Sequence, residues 1–325
     1  MSRWQQFDRQ LREVDEDIAK LERLLAAPSI SEERRAQVRA QIAEMRRRQE
    51  QITREVFARL NAWDSVLLAR HTDRPYTLDY IGAILQDFVE LHGDRRFGDD
   101  PAVVAGLASL DGLPVAVVGH QKGRDVKERQ FRNFGSARPE GYRKSARVMQ
   151  LAEKLGFPVV SFIDTPAAES RLDAEERGIS NAIAENMELM SGLRTPIVVT
   201  IIGEGGSGGA IGMAVGDHVM MLEHSIYSVI PPESCAVILN TFGRDANRAS
   251  EAAEALRLAA KETMALGAVD EIIPEPLGGA HRDPAAAAAN VEKAITRALT
   301  RLQAVPVDEL VKARYAKLRG VRHYL

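Results

Sequence analysis

This chain of 325 residues contains one cysteine, Cys235, and only 5% aromatic residues. A single cysteine excludes an intrachain disulfide and a cysteine-cluster zinc site within this sequence, and it predicts a reducing, cytoplasmic location. The net charge of −3 argues against a general binder of nucleic acids or membrane surfaces. No apolar run approaches the length of a membrane span, and the N-terminal residues are polar. The sequence therefore predicts a soluble intracellular protein.

Metal-binding patterns are also missing. The seven histidines lack the spacing of metal ligands, and no H-E-x-x-H motif is present. We therefore expect no metal site in this chain. What remains is ordinary for a globular protein, with 45% hydrophobic and 27% charged residues. A chain of this length forms one large domain or two smaller ones.

Two regions of different character divide the chain at about residue 70. Between residues 5 and 62, apolar residues recur in steps of three and four, with an interruption at 27–31. This pattern predicts an antiparallel hairpin of two helices with one apolar seam, the second helix beginning at Ser31. Because so narrow a hairpin buries little surface, we expect region 1–70 to pack on the body of the protein or on a partner subunit.

Region 71–325 alternates short apolar strands with helices, which predicts an α/β fold with mainly parallel strand pairing. One helix is expected to contain Tyr80, Ile84, Phe88 and Leu91. Strands are predicted at 103–110, 115–118, 158–163, 196–202, 218–222, 226–230 and 268–273, the first two as a hairpin. Further helices are predicted at 140–155, 173–191, 209–215, 232–240, 248–266 and 284–303.

The densest group of glycines follows the predicted strand 196–202 and reads Gly-Glu-Gly-Gly-Ser-Gly-Gly-Ala over residues 203–210. Glycines allow a backbone to turn sharply and to approach a ligand closely. The helix start that follows offers N–H groups that the helix itself does not use. This segment is therefore suited to hold negative charge, either a bound phosphate or an oxyanion formed during a reaction.

Several interpretations of this glycine segment are open. Residues 205–209 fit the G-x-S-x-G nucleophile elbow of α/β-hydrolases, with Ser207 as nucleophile and Asp217 or Asp270 with His281 as partners. A phosphate loop is a second possibility, although no Lys-Ser/Thr pair follows, which argues against a P-loop NTPase. A third is an oxyanion hole made by backbone groups alone. A tight turn with no chemical role is the remaining alternative.

Segment 121–147 is locally basic. A basic loop beside the ligand edge of a sheet suits a polyanionic small molecule such as a nucleotide or coenzyme A. A solvated charged surface, or an interface with an acidic partner, is the alternative. The basic residues are Lys122, Arg124, Lys127, Arg129, Arg132, Arg138, Arg143, Lys144 and Arg147.

Nine separate segments share one register from about residue 57 to the C-terminus. They are Arg74–Tyr80, Gly119–Arg124, Arg132–Gly135, Pro139–Lys144, Phe162–Pro166, Ala174–Gly178, Gly203–Ala210, Tyr227–Ile230 and Ile272–Arg282. Together they resemble the family of carboxyltransferase α subunits of bacterial acetyl-CoA carboxylase. The resemblance implies a crotonase-type fold, a spiral of ββα units, which follows the N-terminal helical hairpin.

The resemblance also implies an activity and its partners. Members transfer the carboxyl group of carboxybiotin, tethered to the biotin carboxyl carrier protein, onto acetyl-CoA to give malonyl-CoA, the first committed step of fatty acid synthesis. The implied assembly is a cytoplasmic α2β2 heterotetramer whose carboxyltransferase β subunit carries the zinc. No covalently bound cofactor is implied for this chain; carboxybiotin and the coenzyme A thioester are substrates.

Carried over residue by residue, the resemblance implies that Gly208 and Gly209 form an oxyanion hole for the ureido oxygen of biotin. Ser207 is then a turn residue. The implied substrate-binding residues are Gly205, Gly206 and Ala210 in the glycine segment, with Lys122, Arg124, Arg143 and Lys144 facing coenzyme A phosphates or the β subunit.

The loop after the central strand departs from the family pattern. Ala167, Arg171 and Asp173 stand where the family has glycines, and Glu169 stands where it has an aromatic residue. If those glycines have positive φ, the replacements would reshape or strain the rim of the biotin cleft. A non-catalytic paralogue that keeps the fold is therefore a further alternative.

Overall fold

The computed structural model describes residues 3–27 and 30–321. The predicted hairpin is present as helices α1 (Arg3–Leu25) and α2 (Glu32–Phe57). Their seam buries Ile18 against Val38 and Ile42. The Ser31 hydroxyl accepts the Arg34 N–H at 3.3 Å and caps α2, which confirms the predicted helix start. Pro28 and Ser29, within the predicted break, lie outside the described residues.

Short helices and strands alternate after the hairpin. The helices are α3 (Ala62–Ala69), α4 (Thr77–Ile84), α5 (Val126–Phe131), α6 (Pro139–Leu155), α7 (Leu172–Glu176), α8 (Ile179–Gly192), α9 (Ser207–Ile211), α10 (Pro232–Ile238), α11 (Ala249–Leu256), α12 (Ala260–Ala265), α13 (Pro284–Gln303) and α14 (Val307–Gly320). The strands are β1 (Gln86–Glu90), β2 (Val103–Leu110), β3 (Leu113–His120), β4 (Val159–Thr165), β5 (Ile197–Gly206), β6 (His218–Leu222), β7 (Ile226–Ser228) and β8 (Glu271–Ile273).

The eight strands of the described residues form one sheet in the order β1-β2-β3-β4-β5-β6-β8, with β7 paired to the end of β5. The first two pairings are antiparallel and the others are parallel. Helices cover both faces, as buried parallel strands require. In β5, Val199 faces the core layer that includes α6 and α8, while Val198 faces the layer that includes α4 and α13. This mixed, mainly parallel sheet confirms the predicted α/β class.

The helix predicted through Phe88 and Leu91 is wrong beyond residue 84. Leu85 is extended, with φ −118° and ψ 150°, and the chain continues as β1. Val89 and Glu90 pair with Leu107 and Gly106 of β2, so this segment extends the β2–β3 hairpin. Apolar residues four apart satisfied a helical pattern, but unpaired backbone groups on the β2 edge were available to a strand.

Two predicted helices are each divided in two, and three helices, α3, α5 and α14, were not predicted. Gly178, at φ +78°, separates α7 from α8, and Arg257, at φ +51°, ends α11 before α12 begins. The longest of the unpredicted helices is α14. Its Arg314 side chain is buried and donates to the carbonyls of Met190, Leu193 and Thr195 and to the Asp217 carboxylate, all at 2.6–3.0 Å.

The N-terminal hairpin packs on the body of the chain. Trp4, Phe7 and Leu11 are buried in one cluster with Leu68 of α3. Asp15 of α1 pairs with Arg282, which precedes α13. Within the described residues, no helix is both long and apolar enough to cross a membrane.

Candidate active site

The glycine segment continues strand β5 rather than forming a separate loop. Strand β7 pairs in parallel with residues 204–206. Ser207 then turns the chain at φ +52° into the short helix α9. Gly208 and Gly209 therefore lie in the first turn of α9, where backbone N–H groups have no partner within the helix.

The backbone of residues 165–168 packs directly against this segment. A Cβ atom at Gly206 would overlap the Pro166 carbonyl, and one at Gly209 would lie 2.5 Å from the Ala167 carbonyl carbon. In contrast, a Cβ at Gly208 would meet only the Ile183 side chain, at 3.6 Å. Glycine is thus required for close approach at 206 and 209, while 208 has room for a methyl group.

Two buried side chains lie behind Gly209. The Tyr142 hydroxyl donates to the Gly209 carbonyl at 3.2 Å, and burial raises the Tyr142 pKa, which keeps this donor protonated. Burial and the Lys122 charge lower the pKa of His120 to about 3, although backbone groups of Gly209 and Phe162 oppose the shift. In the described part of the chain, neither ring nitrogen of His120 makes a hydrogen bond of normal geometry. His120 is therefore a neutral packing group at neutral pH.

Five ionisable side chains, which we call the ion cluster, meet at Glu204 of the glycine segment. Lys122 Nζ contacts Asp164 Oδ1 at 2.8 Å and Glu204 Oε1 at 2.7 Å. Arg70 joins Glu204, at 2.6 Å, to Glu233 of α10, at 2.5 Å. Lys122 follows β3, Asp164 is in β4 and Glu204 is in β5, so the cluster ties the ends of three strands together.

Burial and pairing act against each other in this cluster. Burial lowers the pKa of Lys122, but the Asp164 and Glu204 charges outweigh it and raise that pKa above its usual value. Burial raises the pKa of Glu204, but Lys122 and Arg70 outweigh it and hold that pKa below its usual value. Lys122 and Glu204 therefore remain charged, with their charges compensated inside the protein.

The four basic residues assigned to substrate binding have partners within the chain. Lys122 belongs to the ion cluster. Arg124 NH2 lies 2.5 Å from the Asp79 carboxylate, and its guanidinium lies over the Tyr76 ring. Arg143 donates to the Arg177 carbonyl at 2.6 Å, and Lys144, fully buried, contacts Asp99 at 2.6 Å. Of the four, Arg124 is the most exposed, and a substrate-binding role for any of them stays a prediction.

Two cavities border the glycine segment. One of about 410 Å³ is mainly apolar and is lined by Ser207, Gly208, Ile211, Tyr227 and Val229, among others. The second, of about 230 Å³, is lined by members of the ion cluster with Tyr76, Arg129, Phe134 and Pro166. Gly208 thus opens onto an apolar space, a suitable environment for an uncharged ring.

The structure does not assemble a hydrolase triad around Ser207. Asp217 is paired with Arg314 at 2.8 Å, and Asp270 is paired with Lys317 at 2.6 Å. His281 lies against α1, with its Nε2 atom 3.9 Å from Asp8. Each proposed partner of the serine is therefore engaged elsewhere, and nothing favours the hydrolase interpretation.

Asp8, His71 and His281 bring potential metal ligands within 4.8 Å of one another. However, His71 Nδ1 accepts the Asp73 N–H at 3.2 Å, and Arg12 contacts His71 Nε2 at 2.7 Å. A metal-bound histidine instead donates its second ring N–H to an acceptor. The geometry favours an attachment of α1 to the body over a metal site.

The departures in loop 166–173 cause no backbone strain. Ala167, Arg171 and Asp173 are absent from the residues with positive φ, and Arg171 has φ −74°. Non-glycine residues adopt such conformations freely. Sequence reasoning named neither Glu204 nor Tyr142 as part of the site. The one available signal was the position of Glu204 within the glycine segment.

The chain was compared with known proteins. Residues 4–322 match the model of the family described as acetyl co-enzyme A carboxylase carboxyltransferase-like. The acetyl-coenzyme A carboxylase carboxyl transferase subunit alpha of Thioalkalivibrio sulfidiphilus is 50% identical over 318 residues, 98% of this chain and 97% of that protein. The subunit of the same name from Geobacter sulfurreducens is 53% identical over 270 residues, 83% of this chain and 84% of that protein.

Solved structures support the fold. A transcarboxylase 12S structure with bound methylmalonyl-coenzyme A superposes with a TM-score of 0.57 at 18% identity, over 70% of this chain and 41% of that one. A Pseudomonas malonate decarboxylase hetero-tetramer with coenzyme A gives 0.55 at 17% identity, over 69% and 91%. These likenesses confirm the crotonase-type fold. With a family match over almost its whole length and relatives at about half identity, the chain belongs to the family of carboxyl transferase α subunits of acetyl-CoA carboxylase.

Proposed function

We propose that this chain works with a carboxyltransferase β subunit, as an α2β2 heterotetramer, and transfers the carboxyl group of carboxybiotin to acetyl-CoA. The subunit designation of its relatives supports the partner, and the coenzyme A ligands of its structural neighbours support the thioester substrate. The carboxyl donor would arrive on the biotin carboxyl carrier protein, and malonyl-CoA would be the product. The single observation that carries the site is the placement of Gly208 and Gly209 in the first turn of α9, beside an apolar cavity.

Gly208 and Gly209 would act through their backbone N–H groups. When the carboxyl group leaves biotin, negative charge develops on the ureido oxygen, and fixed donors stabilise that charge without reorganising. Tyr142 holds the Gly209 carbonyl, in the peptide that follows the donor N–H, and the backbone of Ala167 and Ala168 packs against Gly209. The resulting biotin anion would remove the α-proton of acetyl-CoA, and the enolate, held by donors from the β subunit, would attack the released CO2 to give malonyl-CoA.

The other predicted residues fit around this centre. Gly205 and Gly206 would set the approach to the oxyanion hole, and Ala210 would fill the turn beside it. Arg124 would contact coenzyme A phosphates or the β subunit, with Lys122, Arg143 and Lys144 supporting that surface from within. Zinc would belong to the β subunit. The division at residue 70 and the cytoplasmic location stay predictions.

The test is malonyl-CoA formation from carboxybiotin and acetyl-CoA, with this chain and a β subunit from the same cell, together and apart. Turnover in the mixture alone is expected. A stable complex without turnover would instead support a non-catalytic paralogue, and the absence of a complex would contradict the proposed assembly.

A further inference from the structure

Three side chains join loop 166–173, which follows β4, to the turn at 133–135. Glu169 Oε2 accepts the Asn133 Nδ2–H at 2.8 Å, and Arg171 binds the same carboxylate through Nε at 3.0 Å and NH2 at 2.6 Å. Arg171 NH2 also donates to Asn133 Oδ1 at 3.0 Å, which closes a triangle of contacts. We call Asn133, Glu169 and Arg171 the rim clamp.

Glu169 is the centre of the rim clamp. Its residue is only 8% exposed, and its other oxygen accepts the backbone N–H groups of Ser170 at 2.8 Å and Arg171 at 3.0 Å. Burial raises the pKa of Glu169, but these hydrogen bonds and Arg171 outweigh it and lower the value to about 2. The carboxylate is therefore ionised at neutral pH and fixes the backbone of its own loop.

Asn133 lies in an unusual turn. Asn133, Phe134 and Gly135 all have positive φ, at +47°, +55° and +80°. Two successive non-glycine residues in this region persist only where surrounding contacts hold them. The Asn133 amide supplies such contacts by donating to the Ser136 carbonyl at 2.7 Å as well as to Glu169. The rim clamp thus stabilises both the turn and the loop.

The loop that the clamp fixes is the one that packs on the oxyanion glycines. Pro166 lies against Gly206, and Ala167 and Ala168 lie against Gly209. Any shift of this backbone would change the space around the Gly209 peptide.

We propose that Asn133, Glu169 and Arg171 are positioning residues that hold the 165–168 backbone against the glycine segment and thereby fix the oxyanion hole. The consequence for catalysis rests on the proposed function; the structural role does not.

The structural role is tested by amide hydrogen exchange of residues 167–171 in the full chain. We expect Glu169→Ala and Arg171→Ala to speed amide exchange in this loop by at least about tenfold. In these variants the loop can open without the free-energy cost of breaking the clamp's hydrogen bonds. Glu169→Gln keeps an acceptor oxygen and should restore part of the protection. A matched control is Arg54→Ala, since Arg54 contacts Glu50 in α2 through the same two nitrogens. Exchange at 167–171 that is equally fast in all these variants would overturn the proposal.

The catalytic consequence is tested with the β subunit. Glu169→Ala should lower kcat about tenfold and leave KM for acetyl-CoA within about twofold, because only the carboxyl-donor side of the site is disturbed. The double variant Glu169→Ala/Arg171→Ala should have the same kcat as Glu169→Ala, because the two side chains act together and losing either one breaks the clamp. Because the Arg171 side chain is 61% exposed, Arg171→Ala should fold and separates positioning from global unfolding. An unchanged kcat in an assembled Glu169→Ala complex would overturn the catalytic role.

The two failures are distinguishable. If the unaltered chain transfers no carboxyl group, the proposed function fails and the exchange experiment alone decides the clamp. If the unaltered chain is active but the amides of residues 167–171 exchange without protection, the proposed role of the clamp fails and the proposed function stands.

Discussion

The glycine segment and the ion cluster provide polar groups in opposite ways. Gly208 and Gly209 of the glycine segment have no side chains, and in the first turn of α9 their backbone N–H groups lack partners within the helix, so we propose that they bind a ligand. In the ion cluster, Lys122 contacts two carboxylates, and Arg70 contacts Glu204 and Glu233. The comparison teaches that the density of basic residues in a sequence does not measure the positive charge offered to a substrate.

The largest effect should come from Gly209→Val. The new side chain must displace the backbone at Ala167 and the peptide that donates to the oxyanion, so kcat should fall by about 100-fold or more. The measurement is carboxyl transfer with the β subunit. Gly82→Val is the matched control, because no atom lies within 4 Å of its added Cβ. Gly208→Ala fits without a clash within the protein. Any loss of carboxyl transfer in that variant therefore indicates that the added methyl group crowds the bound substrate. Normal transfer by Gly209→Val would refute the site.

The second prediction concerns the ion cluster. Lys122→Ala leaves the buried Asp164 and Glu204 without their shared cation, and the free energy of unfolding should fall by about 3–5 kcal/mol. Chemical denaturation measures this change. Lys127→Ala, at an exposed position in α5, should change it by less than about 0.5 kcal/mol. Equal losses in the two variants would show that the cluster contributes no more than a surface charge.

Acid should weaken a second buried ion pair, which binds β5 through Arg74. Arg74 donates to the Ile202 carbonyl and makes two contacts with Glu275. Burial raises the pKa of Glu275, but Arg74 outweighs it and lowers the value from 4.5 to about 2. Because the folded value lies below the unfolded one, this stabilisation is complete above about pH 4.5 and is lost as the pH falls towards 2.

Protonation of Glu275 over that range should lower the free energy of unfolding by about 3 kcal/mol. Denaturation at several pH values measures this change. Glu275→Gln should be less stable at pH 7 and should show a shallower decline below pH 4.5. A variant that declines as steeply as the unaltered chain would exclude Glu275 as the source.

The smallest effect should come from Ser207→Ala. Backbone donors do the proposed work, so transfer should change by less than about twofold, whereas a serine hydrolase would lose its activity. The assay is again malonyl-CoA formation by the assembled complex. A loss comparable with that of Gly209→Val would return Ser207 to the centre of the mechanism.

Helices with a regular spacing of apolar residues, or with a recognisable capping residue, were predictable from the sequence. Ser31 marked the start of α2, and Gly156, at φ +70°, ended α6 as the sequence indicated. The segment at 86–91 was not predictable, because its apolar spacing suits a helix and only the free edge of β2 selects a strand. Helix α14 was missed because its main attachment is one buried guanidinium rather than an apolar face.

The site was predictable to a similar extent. The glycines were predictable because the local backbone requires them, and the structure places them at the end of β5. The state of Lys122 was hidden, because its partners Asp164 and Glu204 are 42 and 82 residues further along the chain and meet it only in the folded sheet. Glu169 and Arg171 appeared only as departures from a family pattern. Their contact with Asn133 became visible in three dimensions.

Arg314 has a consequence for how the chain is made. Its guanidinium is the partner of Asp217 and of three carbonyls that end α8 and precede β5, yet it lies 97 residues after Asp217 in the chain. During synthesis those acceptors leave the ribosome before Arg314 does, so they must stay hydrated until it emerges. This side of the sheet is therefore closed only when α14 docks.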